Sequence, residues 1–284
     1  MPEVRGKDPK ALFRKSVMQV VFAAYSVVVI YPMVWLIYTS FKSSRELFAN
    51  AWALPTKLHW ENFVNAWRDA QIGSFFFNSV FVTMTTVAIQ LVIGAMASYA
   101  LARYRFKGNS LLYYFFLAGL MFPIFLALVP MFFLLRDLGL LDTHTGLISV
   151  YIASGIPFTV FVLTAFFKTI PKELEEAGFI DGCSHFGVFW RIMLPLAKPG
   201  LIAVAIFTFI AIWNEYVLAL VVISSSALRT LPLGIANLMM VEHYKTDWGS
   251  LFAGLVIVML PTIIGYAVLQ ERITKGITVG ALKG

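Results

Sequence analysis

The chain has 284 residues, of which 60% are hydrophobic and 13% are charged, and its formal net charge is +7. Soluble domains are ~45–50% apolar and ~25% charged, so this composition excludes an ordinary soluble protein and indicates a polytopic membrane protein. Basic residues next to membrane spans suit an anionic membrane leaflet, and this explains the positive net charge. We therefore expect no binding to nucleic acid.

Six apolar segments are each long enough to cross a bilayer as a helix, which takes ~20 residues. Because the bilayer core offers no water to backbone groups, the spans must be helices or the strands of a closed barrel. These runs are continuous and rich in Leu, Ile, Val and Phe, unlike the ~10-residue alternating strands of a barrel. The sequence therefore predicts an all-α polytopic membrane protein with six transmembrane helices, at residues 17–39, 75–101, 111–135, 147–167, 201–223 and 251–269.

The distribution of Lys and Arg predicts the orientation, since these residues concentrate on the cytoplasmic side of a membrane. With the N-terminus in the cytoplasm, 15 of the 22 basic residues flank cytoplasmic ends. Both termini and the loop 171–200 are then cytoplasmic, whereas the loops 41–74 and 224–249 lie outside. The expected divisions are a cytoplasmic N-terminal segment 1–16, a transmembrane domain 17–270 and a cytoplasmic C-terminal tail 271–284.

Polar residues inside two spans are candidates for a solute pathway. Thr86 and Gln90 belong to a polar stripe on one face of the second span, where we favour helix packing over a solute path. Asn214 and Glu215 lie in the fifth span, and a charge near the bilayer centre costs ~2.5–3.5 kcal/mol, so it should face protein or water. They either border a solute cavity or tie the helix to a neighbour by a structural hydrogen bond, and the sequence leaves both open.

Prolines interrupt the third and fourth spans. Pro123, Pro130 and Pro157 each remove a backbone hydrogen bond, so we expect the helices to kink or unwind locally there. Broken helices often line transport cavities, although proline is also common in ordinary membrane helices.

The chain carries none of the common sequence signatures of an enzyme. It contains no G-x-x-x-x-G-K-[ST] phosphate loop, G-x-S-x-G nucleophile motif or H-E-x-x-H zinc motif. Cys183 is the single cysteine, which rules out an internal disulfide, and the four histidines lie in separate loops without metal-ligand spacing. We therefore expect no catalysis, cofactor or metal in this chain, and its energy must come from an ion gradient or from a partner.

The segment 171–200 is the longest polar interruption in the second half of the chain. Pro171 suits the first turn of a helix over 172–180, whose early glutamates favour the positive end of the helix dipole. Gly182 ends this helix, and Ser184 can cap a second one with an apolar stripe. The stripe consists of Phe186, Phe189, Trp190 and Met193. Because an anionic membrane would repel the acidic first helix, we expect this hairpin to dock in a groove of a cytoplasmic protein rather than rest on lipid.

At these residues the chain resembles the permease subunits of ATP-binding-cassette importers, whose signature loop reads Glu-Ala-Ala, then Asp-Gly-Ala, then Ile-x-Leu-Pro. The corresponding residues here are Glu176, Ala177, Gly178, Asp181, Gly182, Cys183, Ile192, Leu194 and Pro195. Gly178 and Cys183 stand where the family usually has alanine. The segments YALARYRFKG, LGLLDTHTGLI and WNEY narrow the resemblance to the second permease of the carbohydrate-uptake class, and it extends over nearly the whole chain.

The resemblance implies a division of labour among several subunits. A second permease would share the solute pathway, two cytoplasmic ATPase subunits would bind ATP and Mg²⁺, and an extracytoplasmic binding protein would deliver a sugar. The Glu176 helix would sit in a cleft of the ATPase and move as a lever, with Phe186, Phe189 and Trp190 as packing contacts and Gly182 permitting the turn. The chain would then be a multi-pass subunit of the cell membrane that does not itself hydrolyse ATP.

Two other functions agree with parts of the sequence. An ion-driven secondary transporter would use Glu215 as a proton relay, but it would not need the cytoplasmic hairpin. Within the importer interpretation, glycerol phosphate or another polyol derivative could replace the sugar, because this sequence does not name the solute.

Overall fold

The computed structural model describes the backbone of residues 9–241 and 247–281, and the side chains of residues 15–237 and 247–267. All regular structure in these residues is helical, as the composition predicted. In chain order the helices are α1 (Pro9–Thr39), α2 (Ser44–Ala49), α3 (Glu61–Arg68), α4 (Ile72–Arg103), α5 (Asn109–Met121), α6 (Ile124–Asp137), α7 (His144–Thr169), α8 (Lys172–Ile180), α9 (His185–Val188), α10 (Leu194–Leu196), α11 (Lys198–Trp213), α12 (Val217–Val222), α13 (Leu231–Val241) and α14 (Trp248–Ala281). A π-helical turn covers Phe189–Met193, and a 3-10 turn covers Ser226–Leu228.

The described residues contain four helices that are long and apolar enough to cross a membrane. They are Lys15–Thr39, Ile72–Arg103, His144–Thr169 and Trp248–Ala267. Two bent pairs raise the number to six if each pair counts as one span: α5 with α6, bent by 102°, and His185–Leu196 with α11, bent by 74°. The predicted third span is therefore not a continuous helix, whereas the second bend lies before residue 201, where the predicted fifth span begins.

The third span breaks at a proline. Phe122 has an extended backbone with ψ of 120°, as expected for a residue preceding proline, and Pro123 precedes the first turn of α6. The interruption predicted at Pro123 is confirmed. At the other two prolines the helices do not unwind, because Pro130 and Pro157 lie inside α6 and α7, which continue through them, and a kink there stays a prediction.

The fifth span is interrupted by its own acidic residue. α11 ends at Trp213 and α12 begins at Val217. Between them the Glu215 carboxylate accepts hydrogen bonds from two backbone N–H groups, Leu218 N at 2.7 Å and Ala219 N at 3.1 Å. Such local side-chain bonds satisfy the free donors at a helix start, so they stabilise a new helix rather than a continuous one.

The described residues pack as two compact units, one formed by 9–70 with 239–241 and 247–257, and the other by 71–238 with 258–281. In the first unit the connection after α1 is folded around a buried lysine, because Lys42 is only 1% exposed. The Lys42 ammonium donates to the carbonyl oxygens of Asn50 at 3.0 Å and Ala51 at 3.2 Å. Burial lowers the pKa of this ammonium.

The second unit is organised around α4, which packs against α7 and α11. Small residues bring these helices together: a Cβ atom on Gly94 would lie 2.3 Å from Cγ2 of Thr159, and one on Gly155 would lie 2.4 Å from Oε1 of Gln90. Close approach through small residues is typical of helix pairs in membranes. The polar stripe on the second span therefore serves helix packing, the interpretation that the sequence favoured.

Candidate functional site

The hairpin 171–200 has the predicted course of helix, glycine turn and helix. α8 ends at Ile180, and Gly182 adopts a positive φ of +81°, which an L side chain rarely accepts. The Gly182 N–H donates to the Phe179 carbonyl at 3.0 Å, which closes the turn. Ser184 then caps α9 by accepting a hydrogen bond from Gly187 N at 3.2 Å.

Gly178 has a packing role that helix propensity does not reveal. A Cβ atom at this position would lie 2.5 Å from Cδ1 of Ile192 and 3.2 Å from Cγ2 of Val188. Glycine therefore lets α8, the first limb of the hairpin, lie directly against the second limb, which consists of α9, the π-helical turn and α10. The opposite side of α8 remains open, since Glu176, Ala177 and Asp181 are all exposed.

The four residues of the apolar stripe predicted on the second limb do not all face the same way. Phe186 is 67% exposed and Trp190 is 45% exposed, whereas Phe189 and Met193 are buried within the chain. Phe189 packs against Tyr99 with a ring-centroid distance of 5.3 Å. Its predicted role as a contact for a partner is therefore wrong. Phe189 and Met193 lie on one edge of the stripe and Phe186 and Trp190 on the other, so packing against the chain buries one edge and leaves the other exposed.

The end of the hairpin leads into α11 through a bend. Leu194 is half-buried and packs on the apolar cluster that contains Phe189 and Met193, whereas Pro195 is exposed. Pro195 lies in the short helix α10, immediately before the bend of 74° into α11.

Glu175 is a functional candidate that the sequence analysis did not identify. It is 8% exposed, although it lies between exposed residues of α8. Tyr99 Oη donates to Glu175 Oε1 at 2.5 Å, and Arg103 Nε lies 3.3 Å from Glu175 Oε2. The inward orientation of Glu175 follows from the 3.6-residue period, which places Glu175 beside Gly178 on the buried face. That period is the only sequence feature that distinguishes it from Glu176.

A cavity of about 490 Å³ lies between the end of α4 and the second limb of the hairpin. Its lining is mainly aromatic and apolar and comprises Met96, Tyr99, Ala100, Tyr104, His185, Phe186 and Phe189. Tyr104 Oη lies 3.0 Å from His185 Nδ1, so a polar contact joins the chain after α4 to the start of α9. The exposed Phe186 forms one wall of this cavity.

A second cavity, of about 390 Å³, brings together Gln90 and Glu215, two of the four predicted pathway residues. Its other lining residues are Tyr151, Ser154, Gly155, Phe158, Phe207, Thr208, Ala211, Ile212 and Leu218. Gln90 Nε2 donates to Thr159 Oγ1 at 2.8 Å and to Thr208 Oγ1 at 3.2 Å. The Gln90 amide therefore joins α4, α7 and α11 beside the cavity.

Glu215 both borders a cavity and makes a structural hydrogen bond to a neighbouring helix. Its carboxylate lines the cavity, and Oε2 accepts a hydrogen bond from Tyr151 Oη at 2.7 Å, which ties it to α7. Thr86 and Asn214 do not line this cavity. Thr86 is buried and donates to Val82 O in its own helix, and the exposed Asn214 donates to Ile210 O in α11.

The sequence of this chain matches a known protein family. Residues 90–279 match the family described as "Binding-protein-dependent transport system inner membrane component". The chain is 42% identical over 259 residues to the diacetylchitobiose uptake system permease protein NgcG of Streptomyces coelicolor, covering 91% of this chain and 86% of that protein. It is 36% identical to the trehalose transport system permease protein SugB of Mycobacterium tuberculosis, covering 89% and 92%.

A solved structure agrees with this family in its fold. A chain of a bacterial ABC transporter involved in import of the acidic polysaccharide alginate superposes with a TM-score of 0.82, at 22% identity, covering 95% of this chain and 99% of that chain. ATP hydrolysis in such transporters belongs to separate subunits, so the chain is a permease rather than an enzyme. The chain therefore belongs to the family of binding-protein-dependent transport system inner membrane components, the permease subunits of ATP-binding-cassette importers.

Proposed function

We propose that this chain forms, together with a second permease, the pathway through which a sugar enters the cell, and that the hairpin 171–200 couples that pathway to ATP hydrolysis. Two cytoplasmic ATPase subunits bind ATP and Mg²⁺, and this chain binds no cofactor. An extracytoplasmic binding protein delivers the sugar. This role replaces the ion-driven alternative, because the family works with separate ATPase subunits.

The observation that carries the coupling role is the outward face of the hairpin. Glu176 and Ala177 are exposed on α8, and Phe186 and Trp190 are exposed on the second limb. Exposed aromatic side chains on one limb and an exposed carboxylate on the other suit a groove in a protein, where rings supply packing and the charge supplies orientation. The glycine turn and the close packing at Gly178 hold the two limbs in a fixed relation, as a lever requires.

The proposed orientation places the hairpin and both termini in the cytoplasm of a cell whose membrane the chain spans six times. The bent pair of α5 and α6 then counts as one span, and α11 with α12 forms the fifth span. The support is the excess of Lys and Arg on the flanks assigned to the cytoplasm. In this orientation the loops 41–74 and 224–249 face the binding protein.

The proposed solute is a sugar because the relatives with named substrates transport diacetylchitobiose and trehalose. The cavity that holds Gln90 and Glu215 is a candidate part of the path. Its lining combines hydrogen-bonding groups with Phe158 and Phe207, whose rings lie 6.0 Å apart. A few convergent polar groups in a mainly apolar cavity are typical of small-molecule sites.

The coupling role is tested with the assembled transporter in proteoliposomes. Gly182→Pro cannot adopt the positive φ of the turn, and Glu176→Lys reverses the exposed charge. We expect both variants to insert and assemble, to retain ATP hydrolysis, and to lose uptake of a probe panel that contains trehalose and diacetylchitobiose. Asp137→Lys makes the same charge reversal on an exposed residue outside the hairpin and should leave uptake unchanged. Wild-type uptake by both hairpin variants would contradict the proposal.

A further inference from the structure

Glu175 differs from the other carboxylates of α8 in its orientation. Glu173 and Glu176 are exposed, whereas Glu175 is 8% exposed. An ionised carboxylate taken out of water requires compensating partners, because its desolvation is unfavourable. The charge of Glu175 is therefore used within this chain and is not available to a partner subunit.

The partners of Glu175 lie in the last two turns of α4. Tyr99 and Arg103 are four residues apart and so share one helix face. Tyr99 Oη donates to Glu175 Oε1 at 2.5 Å, and Arg103 Nε lies 3.3 Å from Glu175 Oε2, with the two charged side chains 4% and 10% exposed. Arg103 also donates from a terminal guanidinium nitrogen to Ile170 O at 2.6 Å. The end of α4 thus holds both α8 and the residue that leads into the hairpin.

Tyr99 also contacts the second limb of the hairpin. Its ring centroid lies 5.3 Å from that of Phe189 in the π-helical turn and 5.7 Å from that of Phe167 in α7. Aromatic pairs at these separations are attractive. One tyrosine therefore bonds the first limb through its hydroxyl and packs on the second limb through its ring.

The same helix extends from the hairpin to the second cavity. Gln90 lies nine residues before Tyr99, about 13 Å along the axis of α4. Its amide joins α4 to Thr159 and Thr208 beside that cavity. A movement imposed on the end of α4 would therefore reach a group that lines the cavity without passing through a flexible segment.

We propose that Glu175, Tyr99 and Arg103 are positioning residues that fasten the hairpin to α4, so that the two move as one rigid body during transport. When the hairpin is displaced, α4 then moves with it and carries the displacement to the cavity. Without this attachment the hairpin would rotate about its own ends and leave α4 in place. This inference rests on the coupling role proposed above for the hairpin. It assigns adjacent glutamates to different tasks, Glu175 to attachment within the chain and Glu176 to the partner.

The test is a distance measurement in the complete transporter. In a Cys183→Ser background, nitroxide labels are placed on Ile93→Cys in α4, which is 45% exposed, and on Lys172→Cys at the exposed start of α8. The distance distribution is recorded by pulsed electron paramagnetic resonance without nucleotide and after trapping with ATP and vanadate. We expect one narrow distribution that is the same in both states.

Two variants then remove the attachment with little change of shape. Tyr99→Phe keeps the ring and loses the hydroxyl, and Glu175→Gln keeps the size and loses the charge. We expect either variant to broaden the distribution and to make it depend on the nucleotide, and the double variant to change it by less than the sum of the two effects, because both variants weaken contacts of the same carboxylate. The matched controls Glu173→Gln and Tyr114→Phe alter exposed residues and should retain the wild-type distribution.

The inference is overturned if trapping changes the distance in the wild type, or if both variants keep a narrow, nucleotide-independent distribution. A variant that fails to assemble leaves the wild-type comparison to decide. The coupling role has its own readout, since it requires the label at position 172 to lose mobility when the ATPase subunits are added. If the mobility of the label at position 172 did not change, the coupling role would be refuted. The distance between the labels at positions 93 and 172 would still test the attachment of the hairpin to α4.

Discussion

Gly94→Ala places one methyl group at the tightest contact between α4 and α7. The new Cβ would lie 2.3 Å from Cγ2 of Thr159 and 3.0 Å from its Cβ. The Thr159 side chain cannot rotate away freely, because Oγ1 accepts from Gln90 Nε2 at 2.8 Å and donates to Gly155 O at 3.1 Å. The methyl group must therefore push the helices apart or break these hydrogen bonds.

The magnitude follows from two opposing effects. Overpacking of a close-packed contact costs about 1–3 kcal/mol. Replacing glycine by alanine inside a helix stabilises it by ~1 kcal/mol. We expect a net loss of up to about 2 kcal/mol. Thr159→Ser removes the obstructing Cγ2 and keeps the hydroxyl, so in the double variant the alanine should no longer be destabilising, with a coupling energy of about 1–3 kcal/mol.

The assay is the apparent Tm of the purified transporter at a fixed heating rate, where 1 kcal/mol corresponds to about 2 °C for a chain of this size. Gly265→Ala is the matched control, because the nearest non-local atom to its Cβ would be Phe209 Cε1 at 4.0 Å. This control should keep or raise the Tm. The packing argument is refuted if Gly94→Ala also raises the Tm, or if Thr159→Ser gives no rescue.

Three further predictions concern other contacts. Glu46 has its pKa lowered to about 2, first by the Thr56 hydroxyl, so its stabilisation is complete above about pH 4.5 and is lost as the pH falls toward 2. The protection factors of the α2 amides, measured against the intrinsic exchange rate at each pH, should therefore fall on acidification, and Thr56→Val should move that fall to higher pH; an unmoved fall would contradict this. Gly178→Ala should weaken coupling by crowding Ile192 Cδ1, and Ile192→Val, which lacks that atom, should restore it in an assay of uptake per ATP hydrolysed. Glu215→Ala leaves the start of α12 uncapped and should lower the Tm by about 2–4 °C, for a loss of ~1–2 kcal/mol, whereas an unchanged Tm would refute the capping role.

Local rules predicted the parts of the fold that depend on near neighbours in sequence. Composition gave the helical membrane class, and the positions of Pro171 and Gly182 located the hairpin and its turn. Pro123 marked the break in the third span for the same reason, since proline restricts the residue before it wherever it occurs.

The features that the sequence missed depend on contacts between distant residues. Glu175 and Glu176 are identical in type, and the hydrogen-bond partner of the inward carboxylate, Tyr99, lies 76 residues away in the sequence. Glu215 was identified as costly in a membrane, but hydropathy gave no sign that its carboxylate would begin a new helix. Phe189 was placed on the wrong side because an apolar stripe does not show which of its edges packs within the chain.

The π-helical turn at Phe189–Met193 also affects how this chain is aligned with its relatives. A π turn arises when one extra residue is accommodated in an α-helix, so it changes the angular position of everything that follows it. Counting residues forward from His185, the start of α9, and assuming α-helical geometry would assign Leu194 and Pro195 to directions about 100° from their true ones. A relative with a regular α-helix here would differ by a one-residue gap between Ser184 and Leu194, and contacts transferred between the two by motif position alone would be misplaced beyond that gap.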